Sequence, residues 1–277
     1  MYKIGISIYP VTADEKLFAD IADAGIDVVE TSVGILDADK DTDYKAYRKY
    51  AEKNGVELWS FHLPFAHFHQ IEPSVKDATL RNNTVLRLSE YIKKAADMGI
   101  KRFVIHPSGE PIEETERGER LKYSCESLSK LARIAQKSIE GGVIAVEDLP
   151  RTCLGRDSSD ILAILDSDSA LRACFDTNHL LKEDNSEFVR KIGNRIITTH
   201  VSDYDFADER HWLPGEGKND WNSILDALEA VGYEGVWLYE LGFKTPATIN
   251  RKRDLTCADF SRNARELFAR KKLTKLI

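Results

Sequence analysis

Residues 97–106 read DMGIKRFVIH, and this short stretch contains the pattern that decides the fold. Asp97 and Met98 end an amphipathic segment, Gly99 follows them, and an apolar run then ends in His106. Glycine is common just past a helix C-terminus, and a short continuous apolar run is typical of a parallel strand covered on both faces. The stretch therefore predicts a helix, a tight turn and a buried strand in succession.

The same pattern recurs at 23–30 (DAGIDVVE), 53–60 (KNGVELWS) and 231–240 (VGYEGVWLYE). Candidate strands lie at 4–8, 28–31, 57–62, 102–106, 143–147, 172–176, 195–200 and 235–240. A segment of helical period follows each strand, the last at roughly 257–271. Eight such units predict an α/β protein, with residues 1–277 forming a single (β/α)8 TIM barrel domain. A doubly wound open sheet is the alternative, but ISIYPVTADE (6–15) lacks its usual glycine-rich loop.

Composition limits the cell compartment and the partners. The 277 residues are 42% hydrophobic and 31% charged, with a net charge of −7 and four scattered cysteines. The N-terminal MYKIGISIYP does not read as an export signal, and no apolar run has membrane-spanning length. We therefore expect a cytoplasmic protein with reduced thiols and no membrane partner. The acidic balance speaks against nucleic acid as the main partner.

Potential metal ligands end seven consecutive candidate strands. These residues are Glu30, His62, His106, Glu147, Asp176, His200 and Glu240. In a barrel the C-terminal strand ends share one rim, and several carboxylates buried there without a cation would be electrostatically costly. We therefore predict one divalent metal held by Glu147, Asp176, His200 and Glu240. This oxygen-rich shell favours Mn²⁺, with Mg²⁺, Co²⁺ or Zn²⁺ as alternatives.

Five sequence phrases resemble one known family. They are VEDLPRT (146–152), CFDTNHL (174–180), THVSDYD (199–205), RHWLPGEGKNDW (210–221) and YE (239–240). Together they resemble the xylose isomerase-like TIM-barrel superfamily, which includes sugar isomerases and epimerases, some dehydratases and apurinic endonucleases. The resemblance extends over nearly the whole chain. It implies that Glu147, Asp176, His200 and Glu240 bind one catalytic metal, usually Mn²⁺, and that Glu147 and Glu240 also form the acid/base pair.

The predicted activity is that of a metal-dependent sugar isomerase or epimerase. It acts by proton transfer next to a carbonyl through a metal-stabilised enediolate, with a small sugar or polyol as substrate. The resemblance implies that His179 contacts substrate hydroxyls. The other predicted substrate contacts are His62, His106, His211, Arg210 and Trp212. Aromatic side chains near the rim could enclose the sugar, namely Trp59, Phe61, Phe65, Phe68, Trp212 and Phe243.

Two departures from the ketose epimerases concern the substrate. Cys153 stands where those enzymes carry a further glutamate, and Arg210 only approximately matches their substrate-gripping arginine. Dehydration of a keto-polyol shares the same first step and stays open, as does a homo-oligomer formed through barrel faces. A degenerate barrel acting only as a binding module is a third reading.

The main alternative is an apurinic endonuclease with a multi-zinc site. Its extra ligands would be His62, His106, His179, His211 and Glu209. The acidic loops at 34–44 (four Asp, one Lys) and 107–120 (five Glu, two Arg) argue against it, because DNA binding needs basic loops. The basic run RKR at 251–253 is interpreted as a solvated approach to the last helix.

Overall fold

The computed structural model describes residues 2–8, 14–32 and 45–276. Within these residues eight strands alternate with eight helices. The strands are β1 (Lys3–Ser7), β2 (Val28–Ser32), β3 (Glu57–His62), β4 (Arg102–Ile105), β5 (Val143–Glu147), β6 (Leu171–Asp176), β7 (Ile196–His200) and β8 (Val236–Tyr239). The helices are α1 (Glu15–Asp23), α2 (Lys45–Asn54), α3 (Ala78–Asp97), α4 (Arg117–Ser138), α5 (Ser158–Ser167), α6 (Asn185–Ile192), α7 (Trp221–Ala230) and α8 (Cys257–Phe268).

All strand pairings are parallel, and the sheet closes on itself. The strand order is β7-β6-β5-β4-β3-β2-β1-β8. Between β7 and β8, Val201 pairs with Tyr239 in a parallel bridge, and the Val201 amide donates to the Leu238 carbonyl at 2.8 Å. The predicted (β/α)8 barrel is therefore confirmed.

Helix α3 illustrates how the sequence produces each unit. The Asp77 carboxylate caps its first turn by accepting from the amides of Thr79 and Leu80. Its buried positions include Leu88 and Ile92, one helical turn apart, which pack towards the sheet. After the helix ends, Gly99 adopts a φ of 88°, a left-handed conformation that glycine reaches without a steric cost. The glycine stop signal read from the sequence is thus confirmed here.

Some element ends differ from the predictions by a few residues. Strands β4 and β8 end at Ile105 and Tyr239, so His106 and Glu240 are the first residues beyond them. Strand β2 continues past Glu30 to Ser32. The last helix ends at Phe268, not at 271, because Arg270 has a left-handed φ of 52°. The acidic loop at 34–44 and residues 9–13 lie outside the described residues.

The core lies between the helices and the sheet. Its fully buried side chains include Phe18, Phe103, Phe175, Phe188 and Phe260. Burying one such side chain contributes about 1.5–3 kcal/mol to folding. The mostly apolar strands are therefore covered from outside by the helices. In the described part of the chain, none of the helices combines the length and apolarity needed to cross a membrane.

Candidate active site

Glu147 lies at the centre of the C-terminal end of the barrel. It is the last residue of β5 and is fully buried. Its Oε2 lies 3.1 Å from His62 Nε2 and 3.2 Å from His106 Nε2, and its Oε1 lies 2.8 Å from His200 Nδ1. One carboxylate thus contacts imidazoles from the ends of β3, β4 and β7.

The four residues predicted as metal ligands meet around His200. Besides Glu147, its Nδ1 lies 3.3 Å from Glu240 Oε2 and 3.9 Å from Asp176 Oδ2. Asp176 Oδ2 is buried and has no hydrogen-bond partner among the described residues. A buried carboxylate oxygen without a donor is costly unless a cation or another donor reaches it. The structure therefore brings these four side chains together.

One group of potential metal ligands contains His62 in place of the predicted Asp176. The ligand atoms of His62, Glu147, His200 and Glu240 lie within 4.8 Å of one another, and those of Glu147, Asp176 and His179 form an overlapping group. Carboxylate oxygens and imidazole nitrogens are suitable donors for Mn²⁺, Co²⁺ or Zn²⁺. This donor set and the unpartnered Asp176 oxygen both fit a divalent metal.

Glu30 supports His200 from the side away from Glu147. His200 Nε2 lies 3.0 Å from Glu30 Oε1, and the Ser60 hydroxyl donates to Glu30 Oε2 at 2.7 Å. A carboxylate on the second ring nitrogen fixes the tautomer and orientation of an imidazole. The sequence marked Glu30 as a rim residue but assigned it no role, because that role depends on the orientation of His200.

The buried charges shift each other's pKa values strongly. Burial would raise the pKa of Glu147, but His200, His106 and His62 hold it well below its usual value. Burial, with Glu240 and Glu147 nearby, raises the pKa of Asp176 well above its usual value. Burial would lower the pKa of His62, yet Glu147, Glu30 and Glu240 raise it to about 9. Without a metal, protons must therefore neutralise part of the negative charge.

A second cluster lies beside the first. His179 Nδ1 donates to the Asp148 carbonyl at 2.7 Å, and its Nε2 lies 3.0 Å from Glu209 Oε1. Ligand atoms of His179, Glu209 and His211 lie within 4.8 Å of one another. Glu209 Oε2 also accepts from Arg151 Nη1 at 2.7 Å. Although burial opposes it, His179 and Arg151 lower the pKa of Glu209 to about 2.

Both clusters open into one cavity of about 590 Å³. All four histidines predicted to contact substrate line it, together with the two glutamates predicted to carry protons. These residues are His62, His106, His179, His211, Glu147 and Glu240. Phe65 forms part of the wall, with its ring stacked on His106 at a centroid distance of 4.2 Å. The cavity is of the size that holds a small molecule.

Two predicted substrate contacts lie outside this lining. Arg210 Nε donates to Asp205 at 2.9 Å, and Trp212 Nε1 donates to Thr248 Oγ1 at 2.9 Å. Their role in substrate binding stays a prediction. Of the six aromatic residues expected near the substrate, Phe65 alone lines the cavity in the described structure. Cys153 does not line it either, and burial raises the pKa of its thiol to about 12.

The interpretation of the basic run at 251–253 as a solvated segment is correct for Lys252 and Arg253, which are exposed, and wrong for Arg251. The side chains of Arg251 and Glu216 are almost completely buried against each other, with a shortest contact of 2.7 Å. Arg253 pairs with Asp259 at 2.6 Å. A buried guanidinium needs a paired carboxylate to offset its lost hydration, which explains the correction. The pair connects the loop after β8 to the loop after β7.

Comparison with known proteins agrees with this architecture. A family model described as "Xylose isomerase-like TIM barrel" matches residues 18–255. The uncharacterized protein MJ1311 of Methanocaldococcus jannaschii is 31% identical over 184 residues, which are 63% of this chain and 61% of that protein. The uncharacterized protein y4fM of Sinorhizobium fredii is 33% identical over 75 residues, 26% of this chain and 23% of its own length. The matches thus span less than two thirds of each relative.

Solved structures share the fold. An L-ribulose 3-epimerase has a TM-score of 0.80 at 20% identity, with 98% of this chain and 95% of that chain covered. A D-tagatose 3-epimerase-like protein has a TM-score of 0.78 at 24% identity, with 96% and 97% covered. Because the family model matches most of the sequence, this chain belongs to the xylose isomerase-like TIM-barrel family.

Proposed function

We propose that this protein is a divalent-metal-dependent sugar isomerase or epimerase. The observation that carries the proposal is the placement of two glutamates around one imidazole. Glu147 and Glu240 approach His200 Nδ1 at 2.8 and 3.3 Å, and both line the cavity. Proton transfer next to a carbonyl needs one group to remove a proton and one to return it. The structural similarity to sugar 3-epimerases supports the same reaction class.

The proposed metal ligands are Glu147, Asp176, His200 and Glu240, with Mn²⁺ favoured over Mg²⁺, Co²⁺ and Zn²⁺. When bound, the metal supplies a Lewis acid that polarises the substrate carbonyl and so acidifies the adjacent C–H bond. Glu30 orients His200, and the Asp148 carboxylate accepts from the Asp176 amide at 2.7 Å and positions that end of β6.

The two glutamates are the proposed acid/base pair. Nearby imidazoles lower the pKa of each against the effect of burial, so both are ionised at neutral pH, as a base must be. One carboxylate takes the proton from carbon. The other, once it has taken up a proton from solvent, returns that proton to the same carbon in epimerisation or to its neighbour in isomerisation. Phe65 and Leu63 in the cavity wall limit the access of water to the reacting carbon.

The charges of the cavity favour an uncharged polyol. Among the described residues that line it, none is lysine or arginine. The lining instead offers imidazoles and the hydroxyls of Ser7 and Ser32 as hydrogen-bond partners. A phosphate group would meet the carboxylates of Glu147, Glu209 and Glu240, with no lysine or arginine in the described lining to bind it. The proposed substrate is therefore a free sugar without a phosphate group. The expected homo-oligomer of this protein stays a prediction.

A multi-zinc phosphodiesterase of the apurinic endonuclease type is the second candidate. It is favoured by one observation, the second group of His179, Glu209 and His211 beside the first. Against it, Arg151 pairs with Glu209, and Arg251 and Arg253 are paired with carboxylates. Dehydration of a keto-polyol would begin with the same proton removal and is separated from epimerisation only by its product.

The test is a solvent-exchange assay with the metal-loaded protein. Free ketopentoses and ketohexoses are incubated in D₂O with Mn²⁺, and the product is analysed by NMR. We expect deuterium at the carbon next to the carbonyl together with an epimer or isomer. Loss of water from the sugar would indicate the dehydratase. Absence of exchange with every sugar, combined with nicking of abasic DNA and three zinc ions per chain, would overturn the proposal.

A further inference from the structure

A second polar cavity lies at the opposite, N-terminal end of the barrel. Its volume is about 460 Å³, and it is formed by the beginnings of strands and the loops that precede them. The lining includes Trp59 of β3, Arg102 of β4 and Arg172 of β6. We call it the N-terminal cavity. It shares no lining residue with the candidate active site.

Positive charge predominates in the N-terminal cavity. Lys101, Arg102 and Arg172 line it, and Glu234 is the one acidic residue of its described lining. In the ranges 2–8, 14–32 and 45–276, no carboxylate lies within ion-pair distance of any of these three cations. The nearby carboxylate of Glu57 is instead paired with Lys3 at 3.0 Å. An excess of two positive charges in a protein with a net charge of −7 is therefore concentrated in one concave site.

The two arginines are held in place by groups that leave their charges uncompensated. The Arg102 guanidinium lies 3.3 Å from the centroid of the Trp59 ring, a cation–π contact. Arg172 Nη1 donates to the carbonyls of Ser169 and Leu171 at 2.7 and 2.8 Å. An aromatic ring and neutral carbonyls fix the orientation of a guanidinium but do not neutralise it. Fixed guanidinium groups are pre-organised for bidentate binding of oxyanions.

We propose that the N-terminal cavity is a binding site for a small phosphate-bearing anion. Three cations that line one cavity match the double charge of a phosphate group better than the single charge of a carboxylate. The volume lies in the range that holds a metabolite-sized ligand. The ligand is not the substrate of the reaction proposed above, because the barrel core separates the two cavities. This inference does not rest on the proposed function.

Titration of the purified protein with inorganic phosphate tests the proposal, by calorimetry or ³¹P NMR. We expect saturable binding to the unaltered protein and binding at least about ten-fold weaker in Arg172→Gln, since a charge-assisted hydrogen bond is lost. Lys93→Gln is the matched control, because it removes one positive charge from an exposed position on α3. It should bind phosphate as the unaltered protein does. Lys101→Gln, at an exposed position, serves as a second variant should Arg172→Gln fail to fold.

Two results would overturn the assignment. The first is absence of saturable phosphate binding, or equal binding by Arg172→Gln and Lys93→Gln. The second is loss of phosphate binding in His211→Gln, which removes an imidazole from the active-site lining, with full retention in Arg172→Gln; that result would place the anion in the active-site cavity. Retention in His211→Gln together with loss in Arg172→Gln supports the N-terminal cavity.

Discussion

The two ends of this barrel share the same eight strands and differ in charge. At the C-terminal end, imidazoles and carboxylates converge on Glu147, and no lysine or arginine is found among the described residues of the cavity wall. At the N-terminal end, Lys101, Arg102 and Arg172 converge without a carboxylate partner among the described residues. The strands between them are mostly apolar and buried. The chemistry of each end is thus determined by the few residues at which strands begin or stop.

The largest expected effect is that of Glu147→Gln. This change removes a proposed metal ligand, a proposed proton carrier and the acceptor shared by His62, His106 and His200. We expect the epimerase or isomerase rate to fall at least about 1000-fold, with loss of bound metal. Steady-state kinetics and metal analysis of the purified variant provide the measurement.

The matched control makes the same change at the other end. Glu234→Gln removes the acidic residue of the N-terminal cavity and should leave sugar turnover unchanged while strengthening phosphate binding. Equal losses of turnover in both variants would show that the two ends are not functionally separate.

The second prediction concerns how each end holds its arginines. Arg251→Met leaves the buried Glu216 carboxylate without its partner, and we expect a loss of about 3–5 kcal/mol in the free energy of unfolding. Arg172→Gln breaks no ion pair in the described structure, and the loss of its hydrogen bonds to the Ser169 and Leu171 carbonyls should lower that free energy by only about 1 kcal/mol. Denaturant unfolding of both variants measures the difference. Similar losses would contradict the distinction between a paired and an unpaired end.

Glu30→Gln tests the support of His200. Because Glu30 contacts His200 Nε2 at 3.0 Å on the side away from Glu147, we expect metal affinity to fall about 10–100-fold. Competition with a metal-binding dye measures the affinity. A matched change at Glu57, which pairs with Lys3 near the N-terminal end, should leave it unaltered. Unchanged affinity in Glu30→Gln would remove Glu30 from the site.

The smallest expected effect is on substrate affinity. Phe65→Leu removes the ring that stacks on His106 while keeping an apolar side chain in the wall. We expect KM to rise about three- to ten-fold with little change in kcat. Phe68→Leu, a neighbouring exposed phenylalanine outside the lining, is the control. A fall in kcat without a change in KM would instead make Phe65 part of the proton-transfer machinery.

The sequence predicted the position of several residues at the C-terminal rim for a physical reason. The last residue of a parallel strand must lie at the rim, so Glu147, Asp176 and His200 could be placed without knowing any loop. Contacts made by loops could not be predicted in this way. The pairing of Arg151 with Glu209 and the burial of Arg251 depend on how two loops meet.

The N-terminal cavity was not predictable from the sequence. Lys101 directly precedes an apolar strand and Arg102 begins it, at an end where charged residues ordinarily face solvent. Their convergence with Arg172 follows from the closure of the barrel, which places the beginnings of β4 and β6 around one concavity. The sequence does not show that these two residues lie close together, because they are 70 positions apart in the chain.

A crystal structure of the protein grown with Mn²⁺, with data collected at the manganese absorption edge, tests the proposed metal site directly. We expect one anomalous peak per chain, bounded by Glu147, Asp176, His200 and Glu240. A peak confined to His179, Glu209 and His211, or no manganese beside Glu147, would contradict it.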